Sequence, residues 1–267
     1  NNTMKKFLLI AVLIAAMLSV TAYVACIATP LLGKTIKGSG NIVTKTVPAP
    51  DFDGIEASRA VKVVISDKVS DIRIEADDNL IDLVVVRAVK GKLEATLDQK
   101  VNSIQNANVT ITVPANGKIR FLDASSASKI VSEVMLKADK FSIEASSAAR
   151  IETAVEATSC TIETSSASKV EASVEAGSCS LDASSASKIT LEGSARTFKA
   201  DMSSASKLDA EKFSAVNATI DTSSAANVSI DCSGKLTASA SSGSSIRYSG
   251  DCQTSLEKSS GGSIRKL

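Results

Sequence analysis

Apolar and polar residues alternate along most of the chain, in short stretches separated by serine-rich bends. At Phe141–Ala145, positions 141, 143 and 145 are apolar and positions 142 and 144 are polar. A period of two predicts a half-buried β-strand. No window beyond the N-terminal apolar run sustains the 3.6-residue period of an amphipathic helix. The pattern therefore predicts an all-β fold.

One eight-residue segment recurs eight times. It reads DASSASKI at Asp123–Ile130 and again at Asp182–Ile189, with related segments between and after these copies. The first serine of each pair stands at 125, 146, 165, 184, 203, 223, 241 and 259, so the steps are 21, 19, 19, 19, 20, 18 and 18 residues. Such a period indicates a repeat architecture in which each unit covers its neighbour.

The aligned copies form columns, and the columns favour one fold. The last position of each copy is apolar in all eight, and the bend carries a column of Ala or Gly, which indicates a corner pressed against the core. The spacing of a leucine-rich horseshoe is absent, and a propeller blade needs about 40 residues. We therefore predict a right-handed parallel β-helix with coils of roughly 19 residues, each pairing with the next at about 4.8 Å.

The segment before residue 120 is less regular but related to the repeats. Ile55–Val63 has the pattern of the later copies, and Glu75 and Glu94 follow Glu56 at steps of 19 residues. We therefore expect one β-helix domain over residues 38–267, less regular over 38–120.

The composition narrows the chemistry. Histidine is absent, which excludes Ser-His-Asp and Cys-His catalysis and every His-based metal site. The charges of the 29 acidic and 30 basic residues nearly cancel, so the net charge does not favour binding to nucleic acid. We expect no cofactor and no metal site.

The N-terminus has the features of a secretory signal. Met4 is followed by two lysines and by the apolar run Phe7–Val20. This run is shorter than the stretch of about 20 apolar residues that a membrane-spanning helix needs. Val24-Ala25-Cys26 resembles a lipobox, although Tyr23 stands where that pattern prefers Leu. The alternative is ordinary cleavage after Ala22. We predict a signal peptide over 4–25, lipidation of Cys26 and a linker over 26–37.

Three segments carry a resemblance to a known family. They are Gly38-Ser39-Gly40-Asn41-Ile42, Phe52-Asp53-Gly54-Ile55 and the strand Val61–Ile65. Together they resemble the head GIN domain of "putative auto-transporter adhesins" over roughly residues 38–230. The resemblance implies a β-helical protein in the envelope of Gram-negative bacteria and brings no catalytic residues. Only three residues follow Ile264, so we expect no membrane-barrel translocator in this sequence.

Two charged columns are the candidate binding residues. An acidic column lies six residues before a basic one, and it could contact a glycan or a cation. The alternative is a solvated face on which the two columns relieve like-charge repulsion. Lysines nearby disfavour calcium, which needs several oxygens around one ion. The columns are Asp123, Glu144, Glu163, Asp182 and Asp201, and Lys129, Arg150, Lys169, Lys188 and Lys207.

The serines and cysteines are interpreted as structural. Eight equivalent Ser-Ser pairs indicate a corner, because catalysis needs one special place. Cys160 and Cys179 fall in a column with Phe141 and Phe198 and should be buried. Cys232 and Cys252 form a candidate disulfide in an oxidising compartment.

These features predict an exported cell-envelope protein with a non-catalytic, adhesin-like or scaffold role. We expect it to be a lipoprotein, either periplasm-facing or anchored in the outer membrane, and to contact a glycan or an envelope polymer but no nucleic acid. The alternative is a polysaccharide-acting enzyme on a β-helix scaffold. No long insertion interrupts residues 120–264, where such an enzyme would build its site.

Overall fold

The computed structural model describes residues 35–100 and 103–267, and apart from one 3-10 turn at Ile81–Leu83 its regular structure is β-strand. The N-terminal strands are β1 (Thr35–Lys37), β2 (Ile42–Val47), β3 (Gly54–Ala57), β4 (Lys62–Ser66), β5 (Ile72–Asp77), β6 (Val84–Val89), β7 (Lys92–Leu97), β8 (Ser103–Gln105) and β9 (Val109–Pro114). The later strands are β10 (Phe121–Ala124), β11 (Lys129–Ala145), β12 (Arg150–Thr164), β13 (Lys169–Ala183), β14 (Lys188–Met202), β15 (Lys207–Thr222), β16 (Asn227–Ala240), β17 (Ser245–Ser249), β18 (Gln253–Lys258) and β19 (Ser263–Lys266). Over these ranges, no helix is long and apolar enough to cross a bilayer.

The chain divides into two compact units. Strands β1 and β8 belong to the smaller unit and pair with each other in parallel. Residues 38–98 and 106–267 form the larger unit, whose 17 strands belong to one continuous sheet.

From β10 onward the larger unit is a parallel β-solenoid. Each long strand pairs in parallel with the next, so that Ile151, Val170, Ile189 and Leu208 lie side by side in successive coils. All four side chains are buried, and they form one of the apolar columns that fill the interior. The predicted parallel β-helix with coils of about 19 residues is therefore confirmed.

Each serine-rich bend is a tight turn through left-handed backbone. In one bend Ser185 has φ of 52° and Ala186 has φ of 61°, and the nitrogen of Ser187 donates to the oxygen of Ser184 at 3.2 Å. Two successive positive φ values define a type I′ turn. The nitrogen of Ala186 donates to the oxygen of Ser204 in the next coil at 2.9 Å, so the backbone ladder continues through the corner.

The alanine column of the bend is exposed, so the prediction that it is pressed against the core is wrong. Ala186 is exposed, whereas the following Ser187 is buried and its hydroxyl lies 3.0 Å from Thr164 Oγ1. A small residue is needed at Ala186 because positive φ crowds a side chain against the backbone, not because the site is buried.

The N-terminal region extends the solenoid for one coil and then changes direction. Glu56 of β3 lies beside Asp123, and Glu94 of β7 lies directly beside Glu56. Glu75 does not continue this column, because β5 runs antiparallel and places Glu75 between Thr44 and Thr110. The chain reverses between β4 and β5, so the 19-residue step to Glu75 is coincidental.

The glycine-rich segment before β2 is held by a buried carboxylate. A Cβ on Gly38 would lie 2.4 Å from Asp77 Oδ2 and from the oxygen of Asn106, so only glycine fits there. The nitrogens of Gly40 and Asn108 each donate to Asp77 at 2.7 Å. This part of the segment therefore fastens the start of β2 to the end of β5.

Candidate functional site

The parallel register brings the predicted acids into one row on the outside of the solenoid. Each acid lies beside the acid of the next coil, and two acids from the N-terminal region extend the row. We call this row the acidic ladder. Its members, in spatial order, are Glu94, Glu56, Asp123, Glu144, Glu163, Asp182, Asp201 and Asp221.

A shallow groove of about 260 Å³ follows the middle of the acidic ladder. Its walls include the four consecutive carboxylates Asp123, Glu144, Glu163 and Asp182, and the first serines of three bends. The groove therefore presents carboxylates and hydroxyls, and both can accept hydrogen bonds from a ligand.

Cations compensate the N-terminal end of the acidic ladder. The Nζ of Lys92 lies 2.6 Å from Glu56 Oε1 and 4.0 Å from the centroid of the Phe121 ring. The Nε of Arg87 lies 2.6 Å from Glu94 Oε2. By contrast, the four groove carboxylates form no ion pair with any residue that the structure describes.

Repulsion between neighbouring carboxylates of the acidic ladder affects the pKa of Asp123. Burial, together with the neighbouring Glu144 and Glu56, raises the pKa of Asp123 to about 6, although Lys92 partly offsets these effects. Its ionised form is therefore less favourable in the folded chain than in the unfolded chain.

We expect Asp123→Asn to stabilise the protein at pH 7.5 and to leave it nearly unchanged at pH 4. The folded pKa lies above the unfolded value, so the native state loses stability as pH rises from about 4 through about 6. With allowance for partial exposure, the gain should be about 1–2 kcal/mol. Urea unfolding at the two pH values measures it, with Asp251→Asn as a control outside the ladder. An equal effect at both pH values would contradict this account of Asp123.

The predicted cations also form one row. Lys129, Arg150, Lys169, Lys188 and Lys207 lie beside one another in successive coils, and Lys62 extends the row at Lys129. We call these six residues the basic ladder.

Two cations of the basic ladder form ion pairs with a second set of acids, which the sequence analysis did not identify. Lys129 Nζ lies 2.7 Å from Glu152 Oε1, and Lys169 pairs with Glu171, whose pKa its hydrogen bond lowers. Glu171 stands two residues after Lys169 on the same strand face, and Glu152 stands two residues after Arg150, which lies beside Lys129. An acid two residues after a cation of the row is the sequence signal that could have found them. No ion pair between the described residues joins the basic ladder to the acidic ladder.

The serines of the bends form the backbone turns and bond to neighbouring coils. The second serine of each bend is exposed in left-handed backbone, and the serine that follows the alanine is buried in several coils. Ser128 and Ser168, for example, each donate to a carbonyl of the preceding coil at 2.8 Å. Within the described part of the chain, no group of three or more acidic or cysteine side chains is placed to hold a metal ion.

The cysteines lie where the repeat predicts. Cys160 and Cys179 are buried side by side between Phe141 and Phe198. The hydrogen bond with Cys160, together with burial, raises the pKa of Cys179. The four described cysteines are thiols in the structure.

The Cys232–Cys252 disulfide stays a prediction. Burial, together with the neighbouring Cys252, raises the pKa of Cys232 to about 11. Cys26 lies outside the described residues.

Solved structures from Parabacteroides and Bacteroides species have the same fold. A putative lipid binding protein from Parabacteroides distasonis has a TM-score of 0.78 at 18% identity, and the match covers 88% of this chain and 100% of that one. A putative adhesin from Parabacteroides merdae has a TM-score of 0.79 at 18% identity, covering 87% and 99%. A putative adhesin from Bacteroides fragilis has a TM-score of 0.64 at 18% identity, covering 87% and 100%. These likenesses establish the shared fold.

A search of curated proteins finds no match. The sequence profile of a family described as "Putative auto-transporter adhesin, head GIN domain" matches residues 51–252. This range is well over half of the chain and contains both ladders. The family is described as adhesins, which favours a cell-surface protein without enzymatic activity. The chain therefore belongs to the head GIN domain family, which is described as "Putative auto-transporter adhesin".

Proposed function

We propose that this chain is an exported, non-catalytic protein of the cell envelope that binds a glycan or another envelope polymer along the outside of its solenoid. The observation that supports this most is the repetition of one chemical pattern. The same carboxylate, serine pair and cation recur in register across several coils on either side of one corner.

A repeated face suits a repeated ligand. Parallel coils present equivalent groups at about 4.8 Å intervals, so one polymer chain can contact several coils at once. Carboxylates and serine hydroxyls accept hydrogen bonds from sugar hydroxyls, and lysines donate to them. Many weak contacts then add to a useful avidity without a deep pocket.

The alternative function is catalysis on a polysaccharide. Glycosidases use two carboxylates in unlike roles, so each one is indispensable. The groove instead presents four carboxylates at the same register position of successive coils. This equivalence favours binding over turnover.

Charge reversal of the basic ladder should weaken polymer binding while leaving the fold intact. Lys169, Lys188 and Lys207 line up on neighbouring coils, and their replacement by Glu should lower affinity by about tenfold or more through lost charge-assisted contacts. A glycan array identifies the polymer, and surface plasmon resonance measures the loss. Reversal of Lys235, Lys258 and Lys266, which lie outside both ladders, is the matched control. Equal binding by the two triple variants would contradict a role for the basic ladder.

We also propose that the mature protein is a lipoprotein anchored through Cys26. The proposal is supported by the apolar run and the Val24-Ala25-Cys26 segment of the sequence. Acyl chains on Cys26 would give stable anchoring, because each buried CH₂ contributes about 0.8 kcal/mol.

Cys26→Ser should release the protein from the membrane fraction or block its processing. Cell fractionation and intact-mass measurement check this, with Cys252→Ser as a control substitution of the same type. Wild-type protein that is wholly soluble and carries no acyl mass would contradict the anchoring proposal.

A further inference from the structure

Two antiparallel strands end the solenoid on its N-terminal side. Over the described ranges, β2 pairs only with β5, and β6 pairs only with β7. These two strands are therefore the outer edges of the two facing parts of the sheet.

An apolar slot opens between the inner sides of these edge strands. Val84 and Val86 of β6 lie opposite Leu97 and Ala95, which are fully buried core residues, yet the two valines themselves are only half-buried. Because residues paired across strands share a face, both valines point toward the interior of the solenoid. The slot measures about 350 Å³, and eight of its ten lining residues are apolar.

A lysine occupies a core-facing position at this slot. Lys45 of β2 lies opposite the buried Ile74, where the alternating pattern calls for an apolar residue. Its Nζ is 3.9 Å from Asp82 Oδ1, and the two side chains are 52% and 90% exposed. An exposed pair at that distance is weak.

No carboxylate lines the slot, so the exposed Asp82 is the ion-pair partner that Lys45 has among the described residues. The other charged lining residue is Arg87, and its guanidinium pairs with Glu94 of the acidic ladder at 2.6 Å. Lys45 is thus the lining cation that can receive an anion, next to walls made of Val, Ile and Pro side chains.

We propose that this slot binds one acyl chain of an anionic phospholipid, with the lipid phosphate on Lys45. The apolar walls remove the chain from water, and the lysine provides the charge that selects an anionic headgroup. The position in the chain supports a membrane lipid as the occupant. Lys45 follows Cys26 by 19 residues, which span at most about 65 Å when extended, so a lipid anchor would keep the slot near the bilayer. That last step rests on the proposed anchoring, whereas the chemistry of the slot does not.

Native mass spectrometry of the full chain in non-ionic detergent, titrated with phosphatidylglycerol, tests the proposal. We expect the wild type to bind one phosphatidylglycerol in preference to phosphatidylcholine. Ala88→Trp should fill the slot and reduce the bound fraction by about tenfold or more, and it should fold, because Ala88 is exposed. Lys45→Glu should lower phosphatidylglycerol binding by about tenfold. Lys235→Glu is the charge-matched control and should bind as the wild type does.

Equal lipid binding by the wild type and Ala88→Trp would overturn the proposal, as would a lack of preference for phosphatidylglycerol. A co-purifying peptide that is lost in Ala88→Trp would identify a peptide strand as the occupant and would also overturn it. The Cys26→Ser variant separates this question from anchoring. If Cys26→Ser loses the acyl mass but binds lipid as the wild type does, the result concerns only the anchor. If Ala88→Trp keeps the acyl mass but loses lipid binding, the result concerns only the slot.

Discussion

Replacing Ile189 with Asp should unfold several coils of the solenoid together. Ile189 is 0% exposed and lies between Val170 and Leu208 in an apolar column. A carboxylate there has no cation or donor to satisfy it, and burying such a charge costs several kcal/mol. Because each coil is stabilised by its neighbours, the damage should spread beyond one coil.

Urea unfolding and far-ultraviolet circular dichroism measure this effect. Lys188→Asp is the matched control, since it places the same side chain on the exposed side of the same strand. The control should lose little stability. If Ile189→Asp melts as the wild type does, with unchanged β-type dichroism, the assignment of the column to the core is wrong.

Asp77→Ala should have the second largest effect, centred on the N-terminal end of the solenoid. Asp77 is 0% exposed, and its carboxylate accepts hydrogen bonds from the nitrogens of Gly40 and Asn108. Truncation removes two hydrogen bonds to a charged acceptor, each of which contributes about 1.5–3 kcal/mol. We therefore expect a loss of about 2–5 kcal/mol and faster hydrogen exchange in β2.

Asp78→Ala is the control for Asp77→Ala. Asp78 accepts from the side chains of Ser39 and Asn41 at 2.6 and 2.8 Å, and the hydrogen bond from Ser39 lowers its pKa. Because Asp78 is exposed, water can replace those partners, and the loss should be small. Equal losses in the two variants, or unchanged exchange in β2, would contradict the role given to Asp77.

The repeat predicted the stacked coils because residues of one column occupy the same environment in every coil. Ile151, Val170 and Ile189 recur at one spacing, and in a parallel stack equal spacing means direct contact. The same reasoning placed Asp123 beside Glu144 and Lys169 beside Lys188. Both ladders could therefore be predicted before the structure was known.

Strand direction could not be predicted in the same way. An alternating pattern is identical for parallel and antiparallel strands, so Glu75 matched the 19-residue step although β5 runs in reverse. The slot beside β2 was also missed, because Lys45 at a core-facing position has the sequence pattern of an exposed residue. The acids that pair with the basic ladder were not predicted because they directly follow the repeated eight-residue segment. The two charged columns were identified within that segment.

We propose that the outside of the solenoid binds a polymer through many equivalent contacts and does not catalyse a reaction on it. The most direct test measures the affinity of the full chain for fragments of increasing length of one polymer, with chromatography of the ligand afterwards. We predict that affinity rises steadily with fragment length and that every fragment is recovered intact. An affinity independent of length, accompanied by shortened products that disappear when one of the groove carboxylates is replaced, would contradict the account.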